Sequence, residues 1–229
     1  MAKIILIETS TAVCSVACEC DGKVLAMRES DTPKEHAAMT APFIKEVLDE
    51  AGLTVADCDA VCVSAGPGSY TGLRVGSSTT KGLCFAAGIP MLAVCTLDIL
   101  VRQAIDGGLP EGCRYIVPMV DARRMEVYTA VYSAEGRRLG EIEPRVVEAD
   151  SFSKELSEGA VLFIGDGALK CRDTVKSPNA SFREAWPLAG AMAGLAEEAF
   201  AAKDFKDTAY FEPFYLKQFI ATVSKKKLF

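Results

Sequence analysis

Residues 66–76, Gly-Pro-Gly-Ser-Tyr-Thr-Gly-Leu-Arg-Val-Gly, carry the strongest signature for chemistry in the chain. Glycines at 66, 68, 72 and 76 permit unusual backbone angles, and Ser69 or Thr71 offers a capping oxygen for a helix start. Free amides at such a start can hold an anion. The Lys-Ser/Thr ending of a P-loop is missing, so this is not that motif. A tight strand-to-helix connection with close packing explains the same residues, and taken alone they favour it. Two other segments offer phosphate contacts. Glu8-Thr9-Ser10-Thr11 closes an apolar run and suits either phosphate contact or an ordinary polar turn. Gly165-Asp166-Gly167 closes another. Thr9, Ser10, Gly165 and Gly167 are therefore the candidate lining of a nucleotide cleft. Asp121-Ala122-Arg123-Arg124-Met125 lacks the glycines that let a backbone approach a phosphate, which predicts no efficient ATP hydrolysis. Arg123 and Arg124 suit an anion or a partner carboxylate, or do nothing specific at an exposed turn.

The residue inventory narrows the chemistry further. His36 is the single histidine, so neither a zinc hydrolase built on several His ligands nor a Ser-His-Asp protease is expected. A peptidase with one of the nine cysteines as nucleophile is the weakest alternative. Cys14, Cys18 and Cys20 would share one strand face, yet no CxxC pair exists. The cysteines read as small buried hydrophobes in a reducing compartment, with no disulfides and no metal expected. Neither the 229-residue length nor the 50% hydrophobic content speaks against globular domains with sizeable cores. A net charge of −6 provides no global field for nucleic acid. No run approaches the roughly 20 apolar residues of a spanning helix, and the N-terminus lacks a signal pattern, so a cytoplasmic protein without membrane contact is expected.

The elements that must position these residues follow from periodicity. Strands are predicted over 3–8, 13–20 and 23–29, with Asp21-Gly22 as a hairpin turn. A helix follows from Thr32-Pro33 to Gly52, then a strand over 60–65, a helix to Gly88, a strand over 90–95, and a helix capped by Thr96. Gly-rich residues 107–112 form the junction. The second half restarts alike: strands over 115–120 and 125–132, a turn at Glu135-Gly136, a strand over 161–164, and an Ala-rich helix over 188–202. Asp121 answers Glu8, and Gly136 answers Gly22, at nearly constant offset. This predicts a duplicated unit, residues 1–106 and 107–229, with the final helix free to pack back on the first. The architecture matches the ribonuclease-H-like tandem of the acetate kinase, sugar kinase, Hsp70 and actin superfamily, in which an autonomous ATP-dependent kinase is one reading. Lys225-Lys226-Lys227 reads as a solvated tail.

On the first helix, Ala37, Ala41, Ile44, Leu48 and Ala51 form the stripe expected to face the sheet. His36, Met39, Phe43 and Val47 form a second stripe, predicted here as a partner surface. Gly72, Gly76, Thr80 and their small neighbours are expected to admit a partner helix beside it. The motif at 66–76 strongly resembles the GPGSFTGLR-type signature of the TsaB (YeaZ) family. Residues 4–10, Ile-Ile-Leu-Ile-Glu-Thr-Ser, resemble that family's opening strand, usually ended by Asp. Pro118–Arg123 and Glu126-Val127-Tyr128 resemble its second-domain opening. The likeness runs from residue 3 to about 218. It implies a non-catalytic accessory subunit for threonylcarbamoyl transfer to the tRNA adenosine beside the anticodon. The implied partners are a catalytic TsaD-type subunit and a TsaE-type ATPase, with a homodimer when isolated and tRNA met only through the complex. It requires no cofactor of this chain and at most weak ATP or ADP binding.

Overall fold

The protein is seen in a computed structural model that describes residues 2–32 and 35–217. β1 (Lys3–Glu8), β2 (Cys14–Cys20) and β3 (Lys23–Ser30) form an antiparallel meander. Asp21 and Gly22 turn it at φ of 57° and 76°, the left-handed pair that a two-residue hairpin requires. β4 (Ala60–Ser64) and β5 (Met91–Val94) extend the sheet in parallel, giving the order β3-β2-β1-β4-β5. Ile5 and Ile7 enter one apolar cluster, Ile4 and Leu6 the opposite one. With both faces covered, β1 reads as a continuous apolar run.

α1 (His36–Ala51) and α2 (Tyr70–Ala87) cover the first face, burying Phe43, Val47 and Cys84 among sheet residues. α3 (Thr96–Asp106) leads to the second half. There β6 (Cys113–Asp121), β7 (Glu126–Thr129), β8 (Tyr132–Ser133) and β9 (Glu143–Val146) precede α4 (Ser153–Glu158), β10 (Ala160–Ile164), α5 (Ala168–Cys171) and β11 (Ala180–Arg183). Along its main path the second sheet runs β9-β7-β6-β10-β11. Strand for strand this repeats the first, antiparallel on the meander side and parallel on the other. The copy is reduced: α4 has 6 residues against 16 in α1, and α5 has 4 against 18 in α2.

The third helices lock the halves together. Leu97, Leu100, Val101 and Ala104 of α3 pack with Ile116, Val120 and Leu162 of the second sheet. In return a 3-10 turn (Ala189–Met192) and α6 (Ala193–Ala201) place Ala189, Met192 and Ala196 against Ile4, Leu6 and Leu92 of the first. The single helix expected over 188–202 is thus two pieces, the tight turn letting the chain drop onto the first sheet. Likewise the strand expected over 125–132 is interrupted at Ala130–Val131, and its second part, β8, pairs with the start of β6. α1 begins at His36, not near Thr32; Pro33 lies outside the described residues, as does Lys225–Lys227. Thr96 opens α3 without capping it, and its hydroxyl is buried without a partner among the described residues.

α6 also brings Glu197 against Glu19 of β2. Glu19 is wholly buried, and its Oε2 accepts from the Gly22 amide at 2.7 Å. Burial first, then the neighbouring Glu197 carboxylate, pushes its pKa up to about 8. Stability held by the protonated form is complete below the ordinary value near 4.5 and is lost as pH rises toward about 8. Glu19→Gln keeps the acceptor and removes the titration. It should raise unfolding free energy by roughly 1–3 kcal/mol at pH 8 and by much less at pH 5, as read by denaturant melts at both pH values.

Candidate functional site

The 66–76 motif is a packing device between α2 and the first hairpin. A Cβ on Gly68 would lie 2.2 Å from the Ser10 carbonyl oxygen, on Gly72 2.0 Å from the Thr9 carbonyl oxygen, and on Gly76 2.4 Å from Thr9 Oγ1. Spaced four residues apart, the three present one bare stripe on which the hairpin rests. The Ser69 amide donates to Ser10 O at 2.6 Å, and Thr9 Oγ1 donates to Gly72 O at 2.8 Å. Ser69, not Thr71, caps α2 by accepting from the Gly72 amide at 3.3 Å. Peptide carbonyls of the hairpin thus stand where an anion would sit at a free helix start.

Thr9 and Ser10 are wholly buried by this contact. The Ser10 amide donates to Glu8 Oε1, while Glu8 Oε2 and Ser10 Oγ have no partner among the described residues. Burial raises Glu8 to about 7, the bond from the Ser10 amide opposes this, and the Asp166 carboxylate adds to the rise. Asp166 is itself pushed up to about 6, by burial and then by Asp121 against the pull of its backbone hydrogen bonds. The Asp121 amide donates to Asp166 Oδ1 at 2.9 Å, and Lys170 Nζ donates to Asp121 Oδ1 at 2.6 Å and to Glu126 O at 2.7 Å. Gly165 and Gly167 serve the same corner. A Cβ at Gly165 would lie 2.1 Å from Met119 O, and the Gly167 amide donates to that oxygen at 3.0 Å. All four residues read from sequence as cleft lining are committed to contacts within the chain.

The second hairpin turns without glycine. Arg123 and Arg124 adopt φ of 73° and 53°, a left-handed pair that costs roughly 1–2 kcal/mol per side chain. Asp121 Oδ1 accepts from the Arg123 amide at 2.6 Å, an Asx-type bond that offsets part of the cost.

The expected partner stripe divides. Phe43 and Val47 are core, 6% and 0% exposed, Thr80 is wholly buried, and Gly72 and Gly76 are covered by the hairpin; none offers surface to another protein. Met39 is half-buried against the same cluster. His36 Nε2 donates to Thr11 O at 2.9 Å; since a carbonyl only accepts, this fixes the proton on Nε2. The face left open on α1 is Ala37, Ala38, Ala41 and Pro42, and on α2 Ser78, Gly82, Phe85 and Ala86. Phe85 is 86% exposed. Sequence reasoning missed it, although Ser78, Gly82, Phe85 and Ala86 fall at helical spacing opposite Gly72, Gly76 and Thr80.

The hairpin contact can be tested within the chain. Gly76→Ala should destabilise by roughly 1–3 kcal/mol, as overpacking does. Adding Thr9→Ala removes the clashing hydroxyl, so the double-mutant cycle should show a favourable coupling of about 1 kcal/mol or more by denaturant melts.

Comparisons with known proteins bear on the whole of this geometry. The family model described as "TsaD: tRNA N6-adenosine threonylcarbamoyltransferase" matches residues 30–224. The tRNA threonylcarbamoyladenosine biosynthesis protein TsaB of Escherichia coli is 30% identical, covering 96% of each chain. The structure of YeaZ from Pseudomonas aeruginosa superposes with a TM-score of 0.82 at 29% identity, over 94% of this chain and 100% of that one. An activator of the 2-hydroxyisocaproyl-CoA dehydratase from Clostridium difficile, with bound ADPNP, superposes at TM-score 0.50 and 11% identity over 90% of this chain and 98% of that one. That last likeness is of fold alone, the tandem ribonuclease-H-like pair of the actin-like ATPase superfamily. A relative 30% identical over nearly the whole of both chains, a matching architecture and a family model over residues 30–224 agree: the chain belongs to the TsaB (YeaZ) family, within the broader group that the TsaD model describes.

Proposed function

We propose that this chain is the accessory, non-catalytic subunit for threonylcarbamoyl transfer to the tRNA adenosine next to the anticodon, acting with a TsaD-type catalytic subunit. The observation that carries the reading is its end-to-end likeness to the E. coli protein named for tRNA threonylcarbamoyladenosine biosynthesis. The geometry supports the accessory role. The Thr9 hydroxyl is spent on α2, the one histidine on Thr11, and two strained arginines stand where close phosphate approach needs glycine. The autonomous kinase reading is not favoured by any of these residues. No helix among the described residues is long and apolar enough to cross a membrane, in keeping with work beside tRNA in the cytoplasm. Nucleotide chemistry then falls to the partners, a TsaE-type ATPase among them, and this chain requires no cofactor of its own.

The partner surface is the open α1–α2 face, with Phe85 at its centre. Its small residues let a second backbone come close while Phe85 supplies a large apolar anchor. The same face would pair two copies when the chain is alone. Phe85→Asp should leave the melting temperature within about 2 °C, as exposed substitutions do. It should weaken capture of the TsaD-type subunit, and with it reconstituted tRNA modification, at least about 30-fold. Normal capture by a folded variant would place the interface elsewhere. In the same assays the isolated chain should turn over ATP far below about one per second, and turnover at that rate would restore the kinase reading.

A further inference from the structure

A second feature of α2 lies on a different face from Gly72, Gly76 and Thr80. After α6 the chain returns along the edge of the first sheet. Lys206 bridges Met91, and the Phe214 amide donates to Ala65 O at 2.7 Å. Residues 207–217 then run beside α2 and leave an open groove of about 500 Å³ between them. That volume is in the range of small-molecule sites, roughly 300–1,000 Å³.

The groove combines two kinds of chemistry. Arg74 and Lys81, seven residues apart on α2, stand about 10 Å apart along the helix. Neither has a carboxylate partner among the described residues; Arg74 lies 4.7 Å over the Tyr70 ring, and Lys81 Nζ reaches only the Ala209 carbonyl, at 3.5 Å. Ser78, between them in sequence, also lines the groove. Opposite, Tyr215 is tilted 43° to Tyr70 with centroids 5.0 Å apart, and Phe211 continues the aromatic wall. Lys217, tied to Glu126, marks one end, and Glu212 is the sole acid in the lining. A simple carboxylate or phosphate would use the cations and leave the rings idle, and an apolar ligand would do the reverse. A ligand with a planar ring and a phosphate uses both, by stacking and by charge-assisted hydrogen bonds.

We propose that this groove binds a nucleoside phosphate, the base against Tyr70 and Tyr215 and the phosphate between Arg74 and Lys81. It is distinct from the hairpin cleft, and it does not rest on the accessory-subunit reading, since it concerns the isolated chain. The phosphate can come from a free mononucleotide or from an unpaired nucleotide of an RNA strand, and the two sources are separable.

The full chain would be titrated with AMP, adenosine and inorganic phosphate by calorimetry, and with a fluorescein-labelled hexa-adenylate RNA by anisotropy. AMP should bind with Kd below about 1 mM, at least about tenfold tighter than adenosine or phosphate alone. Arg74→Glu with Lys81→Glu, and separately Tyr215→Ala, should each weaken it about tenfold or more, whereas Tyr215→Phe should retain it. Near-native melting temperatures would certify the folded state of each variant, all of the changes being on the groove wall. If the RNA binds at least about tenfold tighter than AMP, with a log–log salt slope near −1.4 for two phosphates, the source is a strand; equal affinity assigns a mononucleotide. The proposal is overturned by absence of saturable AMP and RNA binding at about 1 mM in low salt. It is equally overturned by affinities that both folded variants leave unchanged, or by phosphate alone binding as tightly as AMP.

Discussion

The approach of α2 to the first hairpin sets the geometry of everything around it. Three bare positions at 68, 72 and 76 bring a helix axis so near Thr9 and Ser10 that any side chain there would overlap hairpin atoms. That contact fixes the α2 start, and with it the direction in which α2 points its remaining faces. The outward side of α2 carries both the exposed Phe85 and, toward residues 207–217, the cationic and aromatic groove, with Ser78 shared between them. The same contact buries Glu8 so completely that its pKa is pushed up to about 7, driven first by desolvation. A helix held at ordinary distance would leave the hairpin open to water and its hydroxyls free. Gly in a helix costs roughly 1 kcal/mol relative to Ala, and the hydrogen bonds and close packing gained at the hairpin offset it.

The second organising feature is the exchange of third helices. α3 follows the first sheet in sequence yet buries most of its apolar face on the second, while α6 follows the second and packs on the first. Ile99 even turns to the opposite cluster from its neighbours Leu97 and Leu100. Each half therefore lacks one covering layer that the other supplies, and neither sheet is covered on both faces by its own sequence. Shortening of α4 and α5 leaves the second sheet with thinner cover on its outer face, where Phe152, Phe163 and Phe182 fill space with stacked and edge-on rings.

Much of this was legible in the residues, because the strands are short apolar runs bounded by turn signals and because the two halves share a spacing. The order of elements and the duplication followed from that. What sequence reasoning misjudged was which face of α1 is buried. Reading by apolar residues alone, Ala37 and Ala41 join Ile44 and Leu48, and Phe43 and Val47 seem spare. The charged pairs Lys45-Glu46 and Asp49-Glu50 carry the decisive information: stepping back four residues at a time, they put positions 41–42 and 37–38 in solvent, as the structure has them. Alanine is too small to define a face, whereas paired charges define its opposite. The roles of Thr9 and Ser10 were illegible for another reason. A hydroxyl after a strand looks the same whether it meets a phosphate or a glycine, and only the distance of 2.8 Å from Thr9 Oγ1 to Gly72 O separates the two. The Arg74 and Tyr215 groove joins residues 141 positions apart and so had no local signal.

The ends of β1 and β6 show how duplication and divergence divide the chemistry of the cleft. Glu8 and Asp121 stand at equivalent strand ends, but one is sealed and the other is exposed and engaged by an ammonium. Binding of a metal–phosphate complex at such a place depends on carboxylates that stay charged and on a backbone that comes close. Here burial drives the first carboxyl toward its neutral form, the second is neutralised by Lys170 at 2.6 Å, and Asp166 between them is driven the same way by burial. The side chain of Lys170 supplies internally the positive charge that a bound cation would bring, and it reaches the Glu126 carbonyl as well, so it also ties β7 to α5. Of the three carboxyls, two are shifted toward the neutral form and the third carries an ion pair within the chain, while Arg74 and Lys81, on the outer side of α2, have no carboxylate partner among the described residues.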